Sequence, residues 1–446
     1  KVEGLPYRAF AGTDSAAISA LSTASHSDPH HRKPIKPVAS RKSEEKVPWI
    51  DCFTAPCKGG CPIAQDIPEY MELCNKGLYG PALKLITEKN PLPFITGTIC
   101  AHRCQTKCSR NFYDESVRIR DTKLLAAEKG YNALMASIRP TEKVSGKKAA
   151  IIGGGPTGIA AAYFLARAGI ETTIFEREQC LGGVPRHVIP AFRITNEAIQ
   201  KDIALMEKYG VEVRCGAPAP SVAELKAMGY THIFFAVGAG KAGQLDIPGN
   251  VVPVIQWLRD LKAGKDVPLG HVAVVGGGNT AMDAARLAKR SGAKNVTLVY
   301  RRTKKQMPAD EEELDLALAD GVELCELLAP KALNGAVLTC DVMELGEPDE
   351  SGRRRPVEVV GSDFTIDADT VIMALGTSPN PLISNTTKGL EINRWRCIVA
   401  DESNGKTTKE GVYAGGDAVT GAATVILAME AGRAGARGID EYLSAK

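Results

Sequence analysis

The sequence lacks the features that mark membrane-spanning and secreted proteins. It contains no apolar run that approaches the roughly 20 residues of a membrane-spanning helix, and its N-terminus lacks the charged-then-apolar order of a secretory signal. It also lacks an excess of one charge sign, because 55 basic residues face 52 acidic residues and leave a formal net charge of +3. We therefore expect neither a nucleic acid nor a membrane as partner. We also expect a cytoplasmic protein.

The sequence also lacks an initiating methionine. It begins at Lys1, so we expect it to be part of a longer polypeptide. Its 446 residues, 44% of them hydrophobic, are sufficient for two or three buried cores. Residues 1–46 are rich in Ser, Ala, Lys, His and Pro without sustained periodicity, and they are predicted to form a linker or N-terminal arm.

Two glycine-rich segments are typical of dinucleotide binding. Residues 153–158 read Gly-Gly-Gly-Pro-Thr-Gly and residues 276–281 read Gly-Gly-Gly-Asn-Thr-Ala, and each follows a short apolar run. Glycine permits the positive φ angles of a tight turn and lets a pyrophosphate approach the N-terminus of the next helix. We call these segments the first and the second fingerprint, and together they predict two dinucleotide sites.

The residue expected at the ribose differs between the two fingerprints. Glu176 and Arg301 are predicted to occupy the same place, the end of the second strand of each unit. A carboxylate accepts hydrogen bonds from free ribose hydroxyls, whereas arginine pairs with a 2′-phosphate. The first site is therefore predicted to bind FAD. The second is predicted to bind NADP(H), assisted by Arg302, with NAD(H) left as an alternative.

Six cysteines have a spacing typical of metal binding. They follow the pattern C-x4-C-x3-C-P over residues 52–62 and C-x3-C-x3-C over residues 100–108. A cysteine followed by proline and two separated triplets are features of ferredoxin-type [4Fe–4S] binding, while zinc remains an alternative. Only Cys180 precedes the Gly182-Gly183 pair, so no redox-active C-x-x-C pair is predicted there.

The order of these patterns predicts an α/β protein with two Rossmann-like dinucleotide-binding domains, one inserted in the other, preceded by a small, mostly helical iron–sulfur domain. The predicted domains are residues 47–145 for iron and sulfur, 146–245 with 376–446 for FAD, and 246–375 for NAD(P)H. The predicted strands are 149–152, 171–176, 231–237, 272–275, 296–300 and 370–375, and the predicted helices include 67–77, 122–138, 157–168, 280–290, 310–320 and 423–443.

Several motifs resemble a known family. Residues 52–62, with Asn90-Pro91-Leu92-Pro93 and Ile99-Cys100, resemble the N-terminal iron–sulfur domain of the NADPH-dependent glutamate synthase small subunit and of dihydropyrimidine dehydrogenase. Residues 182–185 with 189–194 resemble the flavin loop of the same family. Within this family, the motifs most resemble those of the iron–sulfur subunits of proposed selenate reductases. The resemblance covers about residues 47–446.

The resemblance implies how the cysteines divide between clusters. Cys52, Cys57 and Cys108 would hold one cluster, and Cys61, Cys100 and Cys104 the other. The fourth ligands stay open, because the family's additional cysteine corresponds to Trp49 and its Gln or Glu ligand aligns near Lys123. Asp51, Cys74 or an external thiol are the candidates for a missing ligand, and the presence of only one cluster is the alternative.

The predicted activity is electron transfer, in which hydride passes between NAD(P)H and FAD, and single electrons pass through [4Fe–4S] clusters to or from a partner domain or subunit. No catalytic acid or base is predicted. The alternatives are a glutamate synthase small subunit and a non-catalytic nucleotide-binding scaffold or sensor, and the sequence leaves oligomerisation open. The residues predicted to contact FAD are Gly153, Gly155, Pro156, Thr157, Glu176, Arg177, Gly182, Gly183, Val184, Ile189, Arg193, Val237, Gly238, Gly416, Asp417, Ala423 and Thr424. Those predicted to contact NAD(P)H are Gly276, Gly278, Asn279, Thr280, Arg301, Arg302 and Gly376.

Overall fold

The computed structural model describes Ala20, Thr23, Ala24 and residues 55–444, except residues 113, 244, 246, 250, 268, 349–353 and 381–385. Most of the arm predicted over residues 1–46 lies outside the described residues, as do Trp49, Asp51 and Cys52. The described chain combines α-helices with two parallel β-sheets, which confirms the predicted α/β class.

The helices and strands are numbered separately in chain order. The α-helices are α1 (Pro56–Gly59), α2 (Ile67–Asn75), α3 (Tyr79–Thr87), α4 (Pro93–Ile99), α5 (Arg103–Thr106), α6 (Ile119–Ser137), α7 (Pro156–Arg167), α8 (Gly183–His187), α9 (Asn196–Glu207), α10 (Val222–Ala227), α11 (Val254–Lys262), α12 (Asn279–Arg290), α13 (Glu311–Ala319), α14 (Asp417–Thr420) and α15 (Val425–Ser444). The strands are β1 (Lys148–Ile152), β2 (Glu171–Glu176), β3 (Glu212–Cys215), β4 (His232–Phe235), β5 (Lys241–Ala242), β6 (Val251–Pro253), β7 (His271–Val275), β8 (Asn295–Tyr300), β9 (Glu323–Glu326), β10 (Leu328–Asn334), β11 (Val337–Pro348), β12 (Arg354–Asp367), β13 (Thr370–Met373), β14 (Thr377–Ser378) and β15 (Val412–Ala414).

The first part of the described chain is a helical unit formed by α1 to α6. Leu83 of α3 and Ala126 of α6 are fully buried in one apolar cluster. Gly130 of α6 allows α3 and α6 to approach closely, since a Cβ at this position would lie 2.4 Å from the Tyr79 carbonyl oxygen. The predicted helical character of this region is therefore confirmed.

The first parallel sheet has the strand order β15, β4, β1, β2, β3. Strand β1 pairs with β2 from Lys148 opposite Glu171 to Ile152 opposite Phe175. Apolar clusters cover both faces of this sheet, as is usual for parallel sheets. Strand β15 pairs with β4 although it comes from the C-terminal part of the chain. The first unit is therefore completed by residues that follow the second unit.

The second parallel sheet has the order β6, β13, β7, β8, β9. Strand β7 pairs with β8 from His271 opposite Asn295 to Val275 opposite Val299. Helix α12 covers this sheet through the fully buried Met282. The sequence predicted the strands of both sheets at motif positions to within about two residues, the usual uncertainty of such boundaries.

An antiparallel sheet of β10, β11 and β12 was not predicted from the sequence. Strand β11 pairs with β12 from Val337 opposite Asp367 to Pro348 opposite Arg354, with shifts in register. Most residues of β12 are exposed on both faces. In its sequence, the alternation between polar and apolar residues is confined to short segments such as residues 363–367 and is interrupted at Val360 and Gly361, so the strand signal is weak.

A buried carboxyl group is among the contacts that fasten the helical unit to the first sheet unit. Asp202 of α9 is fully buried and accepts hydrogen bonds from the backbone N–H groups of Phe94 (3.0 Å) and Ile95 (2.7 Å). These N–H groups belong to the first turn of α4, which leads directly to Cys100. Burial raises the pKa of Asp202 well above its usual value. The carboxyl therefore holds the cysteine-bearing segment against α9.

Replacing Asp202 by alanine is expected to lower the free energy of unfolding by about 3 kcal/mol, because two buried N–H groups would lose their acceptor. Because the folded pKa is raised, this group's contribution to stability is fully present below the unfolded pKa and declines as the pH rises towards the folded value. Urea unfolding of Asp202→Asn should show a weaker decline over that range than the wild-type protein. Asp266→Ala, at an exposed carboxylate, is the control, and equal losses in both alanine variants would refute the prediction.

Candidate cofactor sites

The first fingerprint forms a tight turn between β1 and α7. Gly153 has φ +107°, and a Cβ there would lie 2.4 Å from the Ala236 carbonyl oxygen. A Cβ at Gly158 would lie 2.0 Å from the Gly153 carbonyl oxygen. Glycine is therefore required at both positions by the backbone angle or by close packing within the protein itself.

The second fingerprint repeats this turn between β7 and α12. Gly276 has φ +144°, and a Cβ there would lie 2.4 Å from the Ala374 carbonyl oxygen. A Cβ at Gly277 would lie 2.5 Å from the Tyr300 ring. The first glycine of each fingerprint thus packs in the same way against a carbonyl oxygen of its own unit.

Gly155 and Gly278 differ from the other fingerprint glycines because the protein itself does not require them. Their φ angles are −80° and −101°, which any residue can adopt. Among the described atoms, the nearest to an added Cβ would be Gly183 Cα at 3.8 Å and Pro308 Cγ at 4.0 Å, respectively. Each glycine lies at the N-cap of a helix, where N–H groups can bind phosphate. A Cβ would enter the space that a pyrophosphate needs, so both turns fit a dinucleotide.

Glu176 ends β2 beside the first fingerprint. Its carboxylate accepts hydrogen bonds from the backbone N–H groups of Gly154 (2.7 Å) and Glu178 (2.9 Å), and the residue is buried. These bonds orient the carboxylate at the edge of the sheet where the ribose is expected. Arg177 follows it with an exposed side chain directed towards Glu178.

The counterpart of Glu176 in the second unit is Tyr300, not Arg301. The strand pairings place Phe175 opposite Ile152 and Val299 opposite Val275, so the next residues, Glu176 and Tyr300, correspond. The predicted superposition of Glu176 on Arg301 was therefore wrong by one residue. The loop between α12 and β8 is one residue longer than its equivalent in the first unit, so an ungapped comparison would give Val299 and the strand pairing gives Tyr300.

Arg301 and Arg302 directly follow β8 and have different surroundings. Arg301 is exposed. Arg302 donates from Nε to the Arg354 carbonyl oxygen at 2.9 Å, which holds its side chain against β12. Arg301 is consequently the better candidate for pairing with a 2′-phosphate.

The flavin loop predicted at residues 182–194 packs on the first fingerprint. The Gly182 N–H donates to the Gly154 carbonyl oxygen at 2.8 Å. A Cβ at Gly183 would lie 2.8 Å from Gly155 Cα, so the loop and the fingerprint touch backbone to backbone. Val184 is partly exposed on α8, and Ile189 packs against the apolar cluster of the first unit.

Arg193 does not face this fingerprint. Its guanidinium donates to Asp283 and Glu313 of the second unit, and all three side chains are mostly buried. Both ends of the guanidinium therefore pair with carboxylates of the second unit, and a contact of Arg193 with FAD stays a prediction. The partners lie 90 residues or more away in sequence, so no local pattern could have identified them.

The remaining predicted FAD contacts gather at the ends of β4 and β15. Val237 and Gly238 directly follow β4, and Gly238 has φ +66°. Gly416 packs on Thr157, since a Cβ there would lie 2.2 Å from the threonine Oγ1. These strand ends lie beside α7, whose first residues are Pro156 and Thr157.

Asp417 and Thr424 lie where α14 leads into α15. Asp417 Oδ1 accepts a hydrogen bond from the Ala423 N–H at 3.1 Å. Thr424 Oγ1 is buried and has no hydrogen-bond partner among the described residues. A buried hydroxyl normally has a partner, so this orphaned atom fits a polar ligand at the start of α15.

The remaining contacts predicted for the second unit lie around the start of α12. Asn279 donates to Asp310 at 3.0 Å and accepts from the Asp310 N–H at 2.8 Å, so it joins the start of α12 to the start of α13. Thr280 is exposed, and Gly376 follows β13 with φ +92°. Asp310 was not predicted, and no motif in the sequence marks it.

Three of the predicted cysteine ligands border one cavity. Cys61, Cys100 and Cys104 line it from the helical unit, while Thr424 and Ile426 line it from the start of α15. Burial raises the pKa of Cys61, and it raises that of Cys104 to about 12. All described cysteines are free. The cavity thus joins the cysteine triplet to the orphaned hydroxyl at the predicted flavin site.

Burial raises the pKa of Cys57, and the neighbouring thiol of Cys108 raises it further. Their predicted companion, Cys52, is outside the described residues. Cys74, one candidate for a missing ligand, packs in the apolar cluster of the helical unit. Among the described residues, no three His, Cys, Asp or Glu side chains converge tightly enough to hold a single metal ion.

Lys123 lines the same cavity as Cys61, Cys100 and Cys104 and is only 6% exposed. Its positive charge opposes the effect of burial on the pKa of Cys61 and of Cys104. An ammonium group in this place would stabilise anionic sulfur ligands. The donor set of thiols with a neighbouring cation fits an iron–sulfur cluster.

Two family models match the chain. A model for pyridine nucleotide-disulphide oxidoreductases matches residues 147–432, more than half of the chain. The chain belongs to the pyridine nucleotide-disulphide oxidoreductase family. A second model, for dihydropyrimidine dehydrogenase domain II with a 4Fe-4S cluster, matches residues 37–133 of this oxidoreductase. The matches confirm the resemblance, the oxidoreductase class and the predicted set of FAD, pyridine nucleotide and [4Fe–4S] cluster.

Curated relatives of this oxidoreductase include the protein YgfK of Escherichia coli K12, which is 41% identical over 93% of this chain and 40% of that protein. The NADPH-Fe(3+) oxidoreductase subunit beta of Geobacter sulfurreducens is 36% identical over 90% of this chain and 66% of that subunit. The glutamate synthase [NADPH] small chain of Azospirillum brasilense is 30% identical over 91% and 90%. The chain therefore spans less than two thirds of the first two relatives.

Solved structures show the same fold for the two sheet units. FprA of Mycobacterium tuberculosis in complex with NADPH has a TM-score of 0.57 at 18% identity, covering 69% of this chain and 85% of that one. Thioredoxin reductase of T. acidophilum has a TM-score of 0.52 at 16% identity, covering 67% and 99%. Within the described residues of the oxidoreductase, none of the helices combines the length and apolar character needed to cross a bilayer.

Proposed function

We propose that this chain is an electron-transfer module in which hydride moves between NADP(H) and FAD and single electrons move through [4Fe–4S] clusters to or from a partner domain or subunit. The observation that carries the proposal is the cavity shared by Cys61, Cys100 and Cys104 with Thr424 and Ile426. It connects the cysteine triplet with the end of the helix proposed to face the flavin. Such adjacency is what electron transfer between a flavin and a cluster requires.

The first fingerprint and α15 form the proposed flavin site. Hydride and single-electron chemistry would be supplied by the bound cofactors, and the chain's own residues would hold and orient them. The open space at Gly155 would admit the pyrophosphate, and Glu176 would accept hydrogen bonds from the ribose. The N-terminus of α15 directs its positive end towards the site, which favours a reduced, anionic ring.

The cluster ligands that we propose are Cys61, Cys100 and Cys104 for the cluster nearest α15, with Lys123 as the neighbouring cation, and Cys57 and Cys108 with Cys52 for the other. We also propose a redox partner subunit, because relatives with a similar sequence are a beta subunit and a small chain. The free state of all described cysteines supports a reducing compartment such as the cytoplasm.

The test uses the purified protein with its flavin and iron. Anaerobic NADPH should bleach the visible flavin absorbance, and the reduced protein should then reduce a one-electron acceptor. A protein that binds nucleotide only as a scaffold or sensor would show neither change. Absence of bleaching by both NADPH and NADH would therefore refute the proposal.

Replacing Arg301 by alanine is expected to raise the KM for NADPH about 10- to 100-fold, the effect of losing one charged hydrogen bond to a phosphate. The KM for NADH should change little, since NADH carries no 2′-phosphate. Steady-state kinetics with both nucleotides measure this selectivity. Lys331→Ala, which removes another exposed cation of the same unit, is the control. Equal changes for NADPH and NADH would argue against a role for Arg301 in phosphate binding.

A glutamate synthase small subunit is the second candidate function. It is favoured by the Azospirillum brasilense relative, of which the chain covers 90%. This function would appear as NADPH-dependent glutamate formation after addition of a glutaminase-bearing large subunit. Electron transfer to other acceptors without any glutamate formation would exclude it and leave the first proposal standing.

A further inference from the structure

One buried ion cluster joins the two sheet units. Arg193, in the loop between α8 and α9, donates from Nη1 to Asp283 Oδ1 at 2.6 Å and from Nη2 to Glu313 Oε1 at 2.7 Å. The three side chains are only 15%, 9% and 11% exposed, respectively. Exposed ion pairs contribute little, but buried ones require accurate geometry because their desolvation must be offset. We call these three residues the interdomain ion cluster.

Phe192, the residue before Arg193, is held by α12, the helix that also carries Asp283. Arg286 and Arg290 of α12 lie over the Phe192 ring, at 4.9 Å and 4.4 Å from its centre. Asp320 in turn pairs with both arginines, at 2.8 Å and 2.9 Å. Two consecutive residues of the first unit are therefore fixed to α12, one through charge and one through cation–π contact.

Both ends of this connection reach a nucleotide site. Asp283 lies one turn inside α12, whose first residue, Asn279, directly follows Gly278 of the second fingerprint. At the other end, the loop that carries Arg193 follows α8, and Gly182 and Gly183 at the start of α8 contact the first fingerprint. One path between the two fingerprints therefore runs through α8, the loop after it and the ion pairs of Arg193.

We propose that Arg193 is a positioning residue, whose ion pairs with Asp283 and Glu313 hold the second unit in the orientation that brings the two nucleotide rings together. This inference rests on the proposed function. Misalignment of reacting groups by about 1 Å can slow a reaction on the order of 100-fold, so small rotations of the second unit would matter.

Other contacts also join the units. Val188, directly after α8, is buried in the apolar cluster of the second unit. Arg259 pairs with Glu178 at 3.0 Å, but both side chains are 31% exposed. Lys262 donates from Nζ to the carbonyl oxygens of Pro185 and Ile189. These contacts do not involve Arg193 and can keep the units associated after Arg193 is changed. A variant at Arg193 should therefore alter orientation more than assembly.

Burial raises the pKa of Asp283 to about 6, although the charges of Arg193 and Arg286 act in the opposite direction. The neighbouring Glu313 carboxylate adds to the effect of burial, and Lys262 lies near enough to interact. Desolvation therefore outweighs ion pairing for this carboxyl. An ion cluster of this kind contributes little net stability, which agrees with a role in specifying one arrangement of the units.

The test compares Arg193→Lys with wild-type protein containing its flavin. A lysine ammonium cannot pair in fork geometry with both carboxylates, although the charge is kept. In stopped-flow experiments, flavin reduction at saturating NADPH is expected to slow on the order of 10- to 100-fold, with less than about a threefold change in the Kd for NADPH. Arg214→Lys, within an exposed ion pair of the first unit, is the control and should show no change.

Hydrogen exchange separates this inference from the proposed function. In Arg193→Lys, amides of residues 189–195 and of the first turns of α12 should exchange faster, whether or not NADPH reduces the flavin. Unchanged exchange together with an unchanged reduction rate would overturn the inference. If Arg193→Lys fails to fold, Glu313→Gln, which retains the Arg193–Asp283 pair, should show the same changes to a smaller extent. A wild-type result there would also overturn it.

Discussion

Replacing Cys104 by serine is expected to remove about four iron atoms per chain, the content of one [4Fe–4S] cluster, while the flavin remains bound. A serine hydroxyl is a poor iron ligand compared with a thiolate, and Cys104 borders the proposed cluster cavity. Iron and acid-labile sulfide analysis of the purified variant measures the loss. NADPH should still bleach the flavin, but the rate of reduction of a one-electron acceptor should fall steeply.

Cys340→Ser is the matched control for this experiment. Cys340 is buried in the antiparallel sheet, and burial raises the pKa of its thiol to about 12, as it does for Cys104. Each substitution therefore removes a thiol whose pKa burial raises, and of the two only Cys104 lines the cavity. The same iron content in both variants would show that Cys104 is not a ligand.

Replacing Gly153 by alanine is expected to abolish flavin binding and to lower the free energy of unfolding by about 3 kcal/mol or more. Alanine at φ +107° is strained, and its Cβ would lie 2.4 Å from the Ala236 carbonyl oxygen, so β1 and β4 would have to separate. The visible absorbance of the purified variant and its urea unfolding curve measure the two effects.

Gly210→Ala is the control that distinguishes backbone strain at a positive φ from steric overlap of the added Cβ. Gly210 has φ +83°, and nothing described lies within 4 Å of an added Cβ. This control should lose only about 1 kcal/mol, the penalty for an L-residue in the left-handed region, and should retain its flavin. If Gly153→Ala behaved like Gly210→Ala, close packing of the first fingerprint would not be needed for cofactor binding.

The fingerprints could be predicted because their requirements are local. A positive φ at Gly153 or Gly276, followed within three residues by a helix N-terminus, is expressed in contiguous sequence. Strand β12 was not predicted, because the alternation of polar and apolar residues in it is confined to short segments interrupted at Val360 and Gly361. The correspondence of Tyr300 with Glu176 was also missed, because it is set by the pairing of β8 with β7, which the residue types around Arg301 do not specify.

The lining of the cysteine cavity could be predicted only in part from the sequence. Spacing and resemblance indicated that Cys61, Cys100 and Cys104 act together, and the structure brings them to one cavity. Neither could indicate that Thr424 borders that cavity, because this residue lies more than 300 positions later in the chain. The contact depends on β15 and α15 returning to the first unit after the second unit has been completed.

The sequence alone determined that this protein carries two nucleotide-binding turns and a set of cysteines suited to iron and sulfur, because these depend on backbone angles and residue types within short segments. Tertiary structure decided how they are arranged. It brought the cysteine cavity to the start of α15, and it paired Arg193 with Asp283 and Glu313. Such pairings join distant segments, whose contact is set by the packing of whole sheets and helices and by the cost of burying unpaired charge.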